Sequence, residues 1–316
     1  WKNGKLPHAL LFHGPPGSGK EGHALELAAL LNCTTLNGEE PCGNCQACKQ
    51  TKSFQHGSVK LILPIPRGKI KSSDDPVMKA FNDSVLKEYL NMLKEKESDP
   101  YYSIRIPGAN TILINSIREL KHDVSLSTVN NEWRVILIFQ AEKLCIPSPE
   151  AAHALLKVLE EPPDKTLFIL TSSQPRAILD TIHSRCQSIY FPPISTKILQ
   201  EQLQESGADP VQALVIARIS GGNVRLSREL MQNSNELMEK LFILLNACFS
   251  SDPTIWNKCI DTIARLKTKD INQMEQLFRC AVLFFRDLLY YSAVDTDDKI
   301  IFKNQINKIK KLSKTY

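Results

Sequence analysis

Gly14-Pro15-Pro16-Gly17-Ser18-Gly19-Lys20 fits the pattern G-x-x-x-x-G-K. In such a loop the glycines let the backbone wrap a phosphate with its N–H groups pointing inward. The following helix adds partial positive charge, and the lysine reaches the terminal phosphates. Gly14, Gly17, Gly19 and Lys20 are therefore candidate nucleotide-binding residues. The next position departs from the pattern. A Ser or Thr there holds Mg²⁺, and this chain has Glu21. A carboxylate can bind Mg²⁺, but it is longer and repels phosphate. A hydrolytic site of this kind also draws acids from the end of a buried strand, one supporting Mg²⁺ and one orienting water. Here the strand Val135-Ile136-Leu137-Ile138 runs into Phe139-Gln140, with no acid at either place. Glu142 follows two residues later, in a direction the sequence does not assign. A phosphate loop without its acids implies ATP or ADP bound weakly or not at all, and no turnover.

A second chemistry comes from Cys33, Cys42, Cys45 and Cys48, spaced C-x8-C-x2-C-x2-C. Gly43 and the short spacers permit knuckle turns that bring thiolates within about 2.3 Å of one Zn²⁺. Four thiolates and no His close the shell, as in a structural zinc site. A cluster of free thiols is the plainer alternative. Two arginines also stand out. Arg185, in Ser184-Arg185-Cys186, follows a short helix at a domain edge, from which it could reach a neighbouring subunit's nucleotide. Arg225, in Gly221-Gly222-Asn223-Val224-Arg225, begins a helix from which it could touch a phosphate. On local sequence alone, a solvated surface arginine is the simpler reading of each.

The elements around these residues alternate. Ala9–His13 reads as a strand leading into the loop, and Lys20–Leu31 as a helix. Val59–Leu63, Val135–Phe139, Leu167–Thr171 and Ser188–Phe191 read as further strands, two of them continuous apolar runs typical of burial on both faces. Ile112–Leu126, Ala151–Glu160 and Ile178–Arg185 read as the intervening helices. Parallel βαβ units with helices on both faces are expected. Residues 54–110, rich in breakers and charge, read as an insertion on the surface of the first domain, with Met78–Lys96 helical. After Pro192-Pro193 the pattern is helical throughout: Thr196–Gln204, Pro210–Ser220, Val224–Met231, Leu237–Phe249, Ile255–Lys267, Ile271–Tyr291 and Ile300–Lys314.

The phosphate loop, the cysteine knuckle after the first helix, Ala154-Leu155-Leu156-Lys157-Val158-Leu159-Glu160-Glu161-Pro162-Pro163 and Ser184-Arg185-Cys186 occur in one order. Together they strongly resemble the bacterial clamp-loader subunits of DNA polymerase III, the gamma/tau ATPase and its relative delta-prime. The resemblance covers residues 7–231 well; beyond that only a helical pattern supports it. It implies an α/β AAA+ fold in three parts: a RecA-like parallel-sheet core at 1–192 carrying the zinc module at 33–48 and an insertion at about 60–110, a three-helix lid at 193–233, and an all-α collar at 234–316 that joins subunits. By position, Lys20 corresponds to the phosphate-loop lysine, Arg185 to the trans-acting arginine finger and Arg225 to the lid arginine, while Thr171 lies near the strand-end polar sensor. Glu21, Phe139 and Gln140 favour the delta-prime branch, whose members have often lost these residues. The implied role is a subunit that does not hydrolyse ATP itself. It works with gamma/tau and delta partners, and through them with the sliding clamp and primer-template DNA. The rivals are an active gamma/tau-type ATPase and a zinc-knuckle nucleic-acid-binding protein with a vestigial P-loop. The second lacks interleaved aromatics or a dense arginine cluster in its knuckle.

The composition bounds these readings. With 316 residues, two or three domains are expected at roughly 100–200 residues each. Hydrophobic residues make up 42% and charged residues 23%, near the globular average. The net charge of +5 neither demands nor excludes a nucleic-acid partner. Lys299, Lys303, Lys308, Lys310, Lys311 and Lys314 read as a solvated helix face rather than a DNA contact. The opening Trp1-Lys2-Asn3-Gly4 has no signal-peptide layout and no apolar run reaches about 18 residues, so a cytoplasmic protein without a membrane span is expected. The other cysteines, Cys145, Cys186, Cys248, Cys259 and Cys280, are then ordinary reduced thiols.

Overall fold

The computed structural model describes residues 6–125, 132–269, 271–297 and 299–313. Trp1, Leu126 and Lys314, which the sequence reading included, lie outside them. The chain divides into two compact units, Trp1–Pro192 and Pro193–Tyr316.

The first unit is built on a five-stranded sheet in the order β2-β3-β4-β1-β5. Its strands are β1 (Ala9–His13), β2 (Val59–Ile62), β3 (Arg134–Ile138), β4 (Thr166–Ser172) and β5 (Gln187–Tyr190), all pairing in parallel. Strand β4 is buried along its whole length, and β3 everywhere but at Arg134. Alternate residues feed opposite faces. Leu11, Ile136, Ile138, Phe168 and Leu170 pack against α4 (Ile114–Ser125), α5 (Glu150–Glu160) and α6 (Asp180–His183), through Ile117, Leu120, Leu155 and Ile182. Leu10, Phe12, Leu137, Leu167 and Ile169 pack on the other face against Ala24, Leu25 and Ala28 of α1 (Lys20–Asn32). Two-sided burial accounts for the uninterrupted apolar runs.

The 54–110 segment differs from its expectation as a surface insertion. Ile65, Ile70, Ala80, Ile104 and Ile106 are buried in the same core face as α1. The expected single helix from Met78 is broken. A 3₁₀ turn at Val77–Ala80 precedes α3 (Asp83–Ser98), whose N-cap Asn82 accepts a hydrogen bond on Oδ1 from Val85 N–H at 2.9 Å. Asn is favoured at a cap because its side chain satisfies an otherwise orphaned N–H. A short helix α2 (Gln46–Lys52) starts inside the cysteine loop and packs on α1.

The second unit is helical: α7 (Thr196–Glu205), α8 (Pro210–Ser220), α9 (Val224–Cys248), α10 (Pro253–Lys269), α11 (Ile271–Val294) and α12 (Ile306–Ser313). The expected lid–collar boundary falls inside α9, where Asn233 leaves helical geometry at φ −117°, ψ 15°. The helix expected from Ile300 begins only at Ile306, after a 3₁₀ turn at Lys303–Gln305; before that turn the backbone N–H groups of Ile301 and Phe302 donate to the buried carboxylate of Asp287 at 2.7 and 2.9 Å.

Candidate phosphate loop and cysteine knuckle

Strand β1 sits where the strand order reverses, so the loop leaving its C-terminal end lies at the position where ligands of open α/β sheets bind. The loop's glycines are required by geometry. Gly14 has φ 148°, and a Cβ on it would lie 2.1 Å from the Phe191 carbonyl oxygen; Gly19, at φ 86°, is the left-handed N-cap of α1. Lys20 curls back into the loop. Its Nζ donates to the carbonyls of Gly14 at 2.9 Å and Pro15 at 2.7 Å, and to Ser18 Oγ at 3.3 Å. Burial pulls its pKa down to about 8, against the opposing pull of the Glu21 and Glu142 carboxylates. His13, at the end of β1, is held below its ordinary value by burial and by the neighbouring charges of His183 and Lys20. The loop thus has the glycines and the lysine from which a P-loop holds phosphate, with the lysine turned onto its own loop.

The positions from which such a loop holds Mg²⁺ are otherwise occupied. Glu21 Oε2 accepts a hydrogen bond from Lys96 Nζ at 2.7 Å. Phe139 is buried at the end of β3, and Gln140, in the left-handed region at φ 55°, donates from Nε2 to the Ile104 carbonyl at 3.1 Å. Glu142, unassigned by sequence, is buried and accepts from Ser172 Oγ at 2.6 Å; Ser172 Oγ in turn accepts from Gln174 N–H at 3.0 Å. This pair fixes the end of β4, where Thr171 is buried opposite Phe12. Nothing in the sequence marks Lys96, which sits in a run of charged helical residues. Only its near-total burial, at 1% side-chain exposure, marks it out.

Arg185 lies just past α6. It donates from Nη2 to Glu160 Oε1 at 2.6 Å and from Nη1 to the Thr181 carbonyl at 3.0 Å. Glu160 belongs to the A-L-L-K-V-L-E-E-P-P run, so two sequence motifs meet in one ion pair. Arg225, in the second unit, pairs along its own helix with Glu229, Nε to Oε1 at 2.7 Å.

Cys33, Cys42, Cys45 and Cys48 converge, with all four sulfurs within 4.8 Å of one another. The Cys33–Cys45 and Cys42–Cys48 Sγ pairs are each 4.0 Å apart. A tetrahedral zinc with Zn–S bonds of about 2.3 Å needs sulfurs about 3.8 Å apart, so the residues fit the ion. Backbone N–H groups of Cys42, Cys45 and Cys48 point at the sulfurs of Cys33, Cys42 and Cys45 at 3.4, 3.3 and 3.5 Å, as thiolates require. The Cys48 N–H holds Cys45 down to about 5, while burial pushes Cys48 up to about 12. A dication would supply the missing compensation for the buried thiol. When bound, zinc would cross-link the turn after α1 to the start of α2; the site offers it no open position for chemistry.

A phosphate loop on the inner strand of a parallel β2-β3-β4-β1-β5 sheet, followed by a helical unit, defines a P-loop protein of the AAA+ class. Residues 1–195 match the family described as "DNA polymerase III, delta subunit", and the chain belongs to that family. It is 26% identical over 315 residues to the DNA polymerase III subunit delta' of Bacillus subtilis, covering 97% of this chain and 78% of that one. It is 24% identical over 330 residues to the DNA polymerase III subunit tau of the same organism, covering 96% of this chain and 49% of the relative. It is also similar to a solved gamma subunit-related protein of Thermotoga maritima, at 15% identity over 84% of this chain and 91% of that one, with a TM-score of 0.30. No described helix is long and apolar enough to cross a membrane.

Proposed function

We propose that the chain is a delta-prime-type clamp-loader subunit that does not hydrolyse ATP itself. It supplies Arg185 to the nucleotide of a neighbouring ATPase subunit and braces the ring that loads the sliding clamp on primed DNA. One observation carries the reading: the loop keeps Lys20 and its glycines, while the metal-holding position, Glu21, is committed to Lys96. In this reading Lys20 and the loop glycines bind phosphate weakly at most, and the four cysteines hold a structural zinc. Residues 193–233 act as the lid, with Arg225 on it, and 234–316 as the collar that meets the gamma/tau and delta partners in the cytoplasm. Arg185 is half-buried at the edge of the unit, its guanidinium held by Glu160 and the Thr181 carbonyl, and in this reading it exchanges them for the neighbour's phosphate. An arginine aimed from outside stabilises charge developing on a transferred phosphoryl group without any group of its own reacting.

The isolated chain should show no ATP turnover above background. Arg185→Ala should lower turnover of the assembled loader by about tenfold or more at the site it serves, while the variant chain stays folded. Turnover by the isolated chain would favour the gamma/tau-type ATPase instead, and unchanged loader turnover in the variant would reject the finger role.

A further inference from the structure

Lys96, in α3, is buried, with 1% of its side chain exposed. Its three protons meet three acceptors: Glu21 Oε2 at 2.7 Å, the Pro100 carbonyl at 2.8 Å and the Tyr102 carbonyl at 2.6 Å. Its Nζ also lies over the Phe139 ring, 5.8 Å from the centroid. Glu21 and Phe139 are the places from which a magnesium-dependent P-loop site holds its metal, one at the start of α1 and the other at the end of β3. One ammonium therefore bridges both halves of that site.

The chain around Lys96 closes on the loop from the same side. A Cβ on Gly22 would lie 3.0 Å from Pro100 Cβ, and a Cβ on Gly19 would lie 3.3 Å from Tyr101 Cε1. Gln140, at the second acid position, holds the Ile104 carbonyl of the same segment. Buried charges are kept only when paired and hydrogen-bonded, and here Glu21 and Lys96 satisfy each other. An ammonium offers protons and accepts nothing. Mg²⁺ needs near-octahedral oxygen ligands and keeps several waters; here the Glu21 carboxylate is taken by Lys96, and Phe139 brings no oxygen.

We propose that the segment 83–106 is a built-in plug of the P-loop, with Lys96 standing in for the divalent metal. The loop therefore excludes Mg²⁺, and any phosphate-bearing ligand it accepts binds metal-free. This deepens the non-hydrolysing reading and rests on it.

The test is binding of a fluorescent ADP derivative to the native chain, in excess Mg²⁺ and in excess EDTA, with Mn²⁺ paramagnetic resonance as a second readout. The native chain should bind the probe equally in both buffers, or in neither, and ADP should add no bound Mn²⁺. The double variant Glu21→Ser, Lys96→Met restores a hydroxyl and withdraws the ammonium. Screened for intact folding by circular dichroism, it should bind the probe at least tenfold more tightly with Mg²⁺ than without. Tenfold tightening by Mg²⁺ in the native chain, or ADP-dependent Mn²⁺ binding to it, would overturn the plug, and so would a folded double variant that stays indifferent to Mg²⁺. These outcomes separate from the parent reading, because a native chain that binds Mg-ADP yet never turns over ATP loses only the plug.

Discussion

Lys20 is a charged group that its own loop keeps dry. It gives two carbonyls and a hydroxyl its protons, yet burial leaves its pKa at about 8 rather than 10.5. Between those values the unfolded chain binds more protons than the folded one, so stability rises with pH across the window. Lys20→Met removes that titration. The difference in melting temperature between native chain and variant should therefore shift in favour of the native chain between about pH 7.5 and about pH 10. The full effect is bounded near 3 kcal/mol, from about 1.36 kcal/mol per unit. Parallel thermal melts across that range measure it, and a difference independent of pH would mean the ammonium is solvated. At this scale the sequence was informative wherever chemistry is local. The loop and the cysteine spacing could be read directly, because their residues lie within a few positions of one another. Lys96 could not, since its partner Glu21 lies 75 positions away and its neighbours in the chain are solvated charges. Glu142 was visible but undirected until Ser172 of β4 was placed beside it.

The elements show how composition can mislead. The 54–110 segment carries prolines, glycines and lysines, which read as surface, yet Ile65, Ile70, Ile104 and Ile106 are buried against the sheet. The breakers set its turns, and the scattered isoleucines bury it. The parallel strands were legible because two-sided burial leaves an apolar run that little else in a chain produces. The cysteine knuckle makes an element-level prediction. It is the point where the turn after α1 is tied to α2, and α2, with seven residues, is too short to be stable by itself. The purified chain should carry about one zinc ion per molecule, and chelation should lower its melting temperature by several degrees. Metal analysis before and after chelation, followed by thermal unfolding, checks this. Unchanged unfolding after verified metal removal would leave the thiols without a structural role.

At the scale of the whole molecule, the question is whether a chain of net charge +5 holds DNA by itself. Nucleic-acid binding of that kind comes from clustered cations that release counterions from phosphates. Two of the C-terminal lysines are engaged within the helical unit. Lys308 lies over the Phe242 ring at 4.3 Å and donates to Asn246, and Lys310 lies over Tyr291 at 5.5 Å, so their stems cover apolar surface of the helical unit. Arg185 and Arg225 are each paired with a glutamate. These four cations have contacts within the chain, and on the proposed reading contact with DNA is left to the assembly. The isolated chain should bind primer-template DNA no better than the non-specific range, a Kd of about 10⁻⁴–10⁻⁶ M at physiological salt. A titration by fluorescence anisotropy over a range of salt concentrations tests this directly. Nanomolar binding with a steep salt slope would instead revive the zinc-knuckle nucleic-acid reading, and would place the DNA contact within this chain rather than in the proposed assembly.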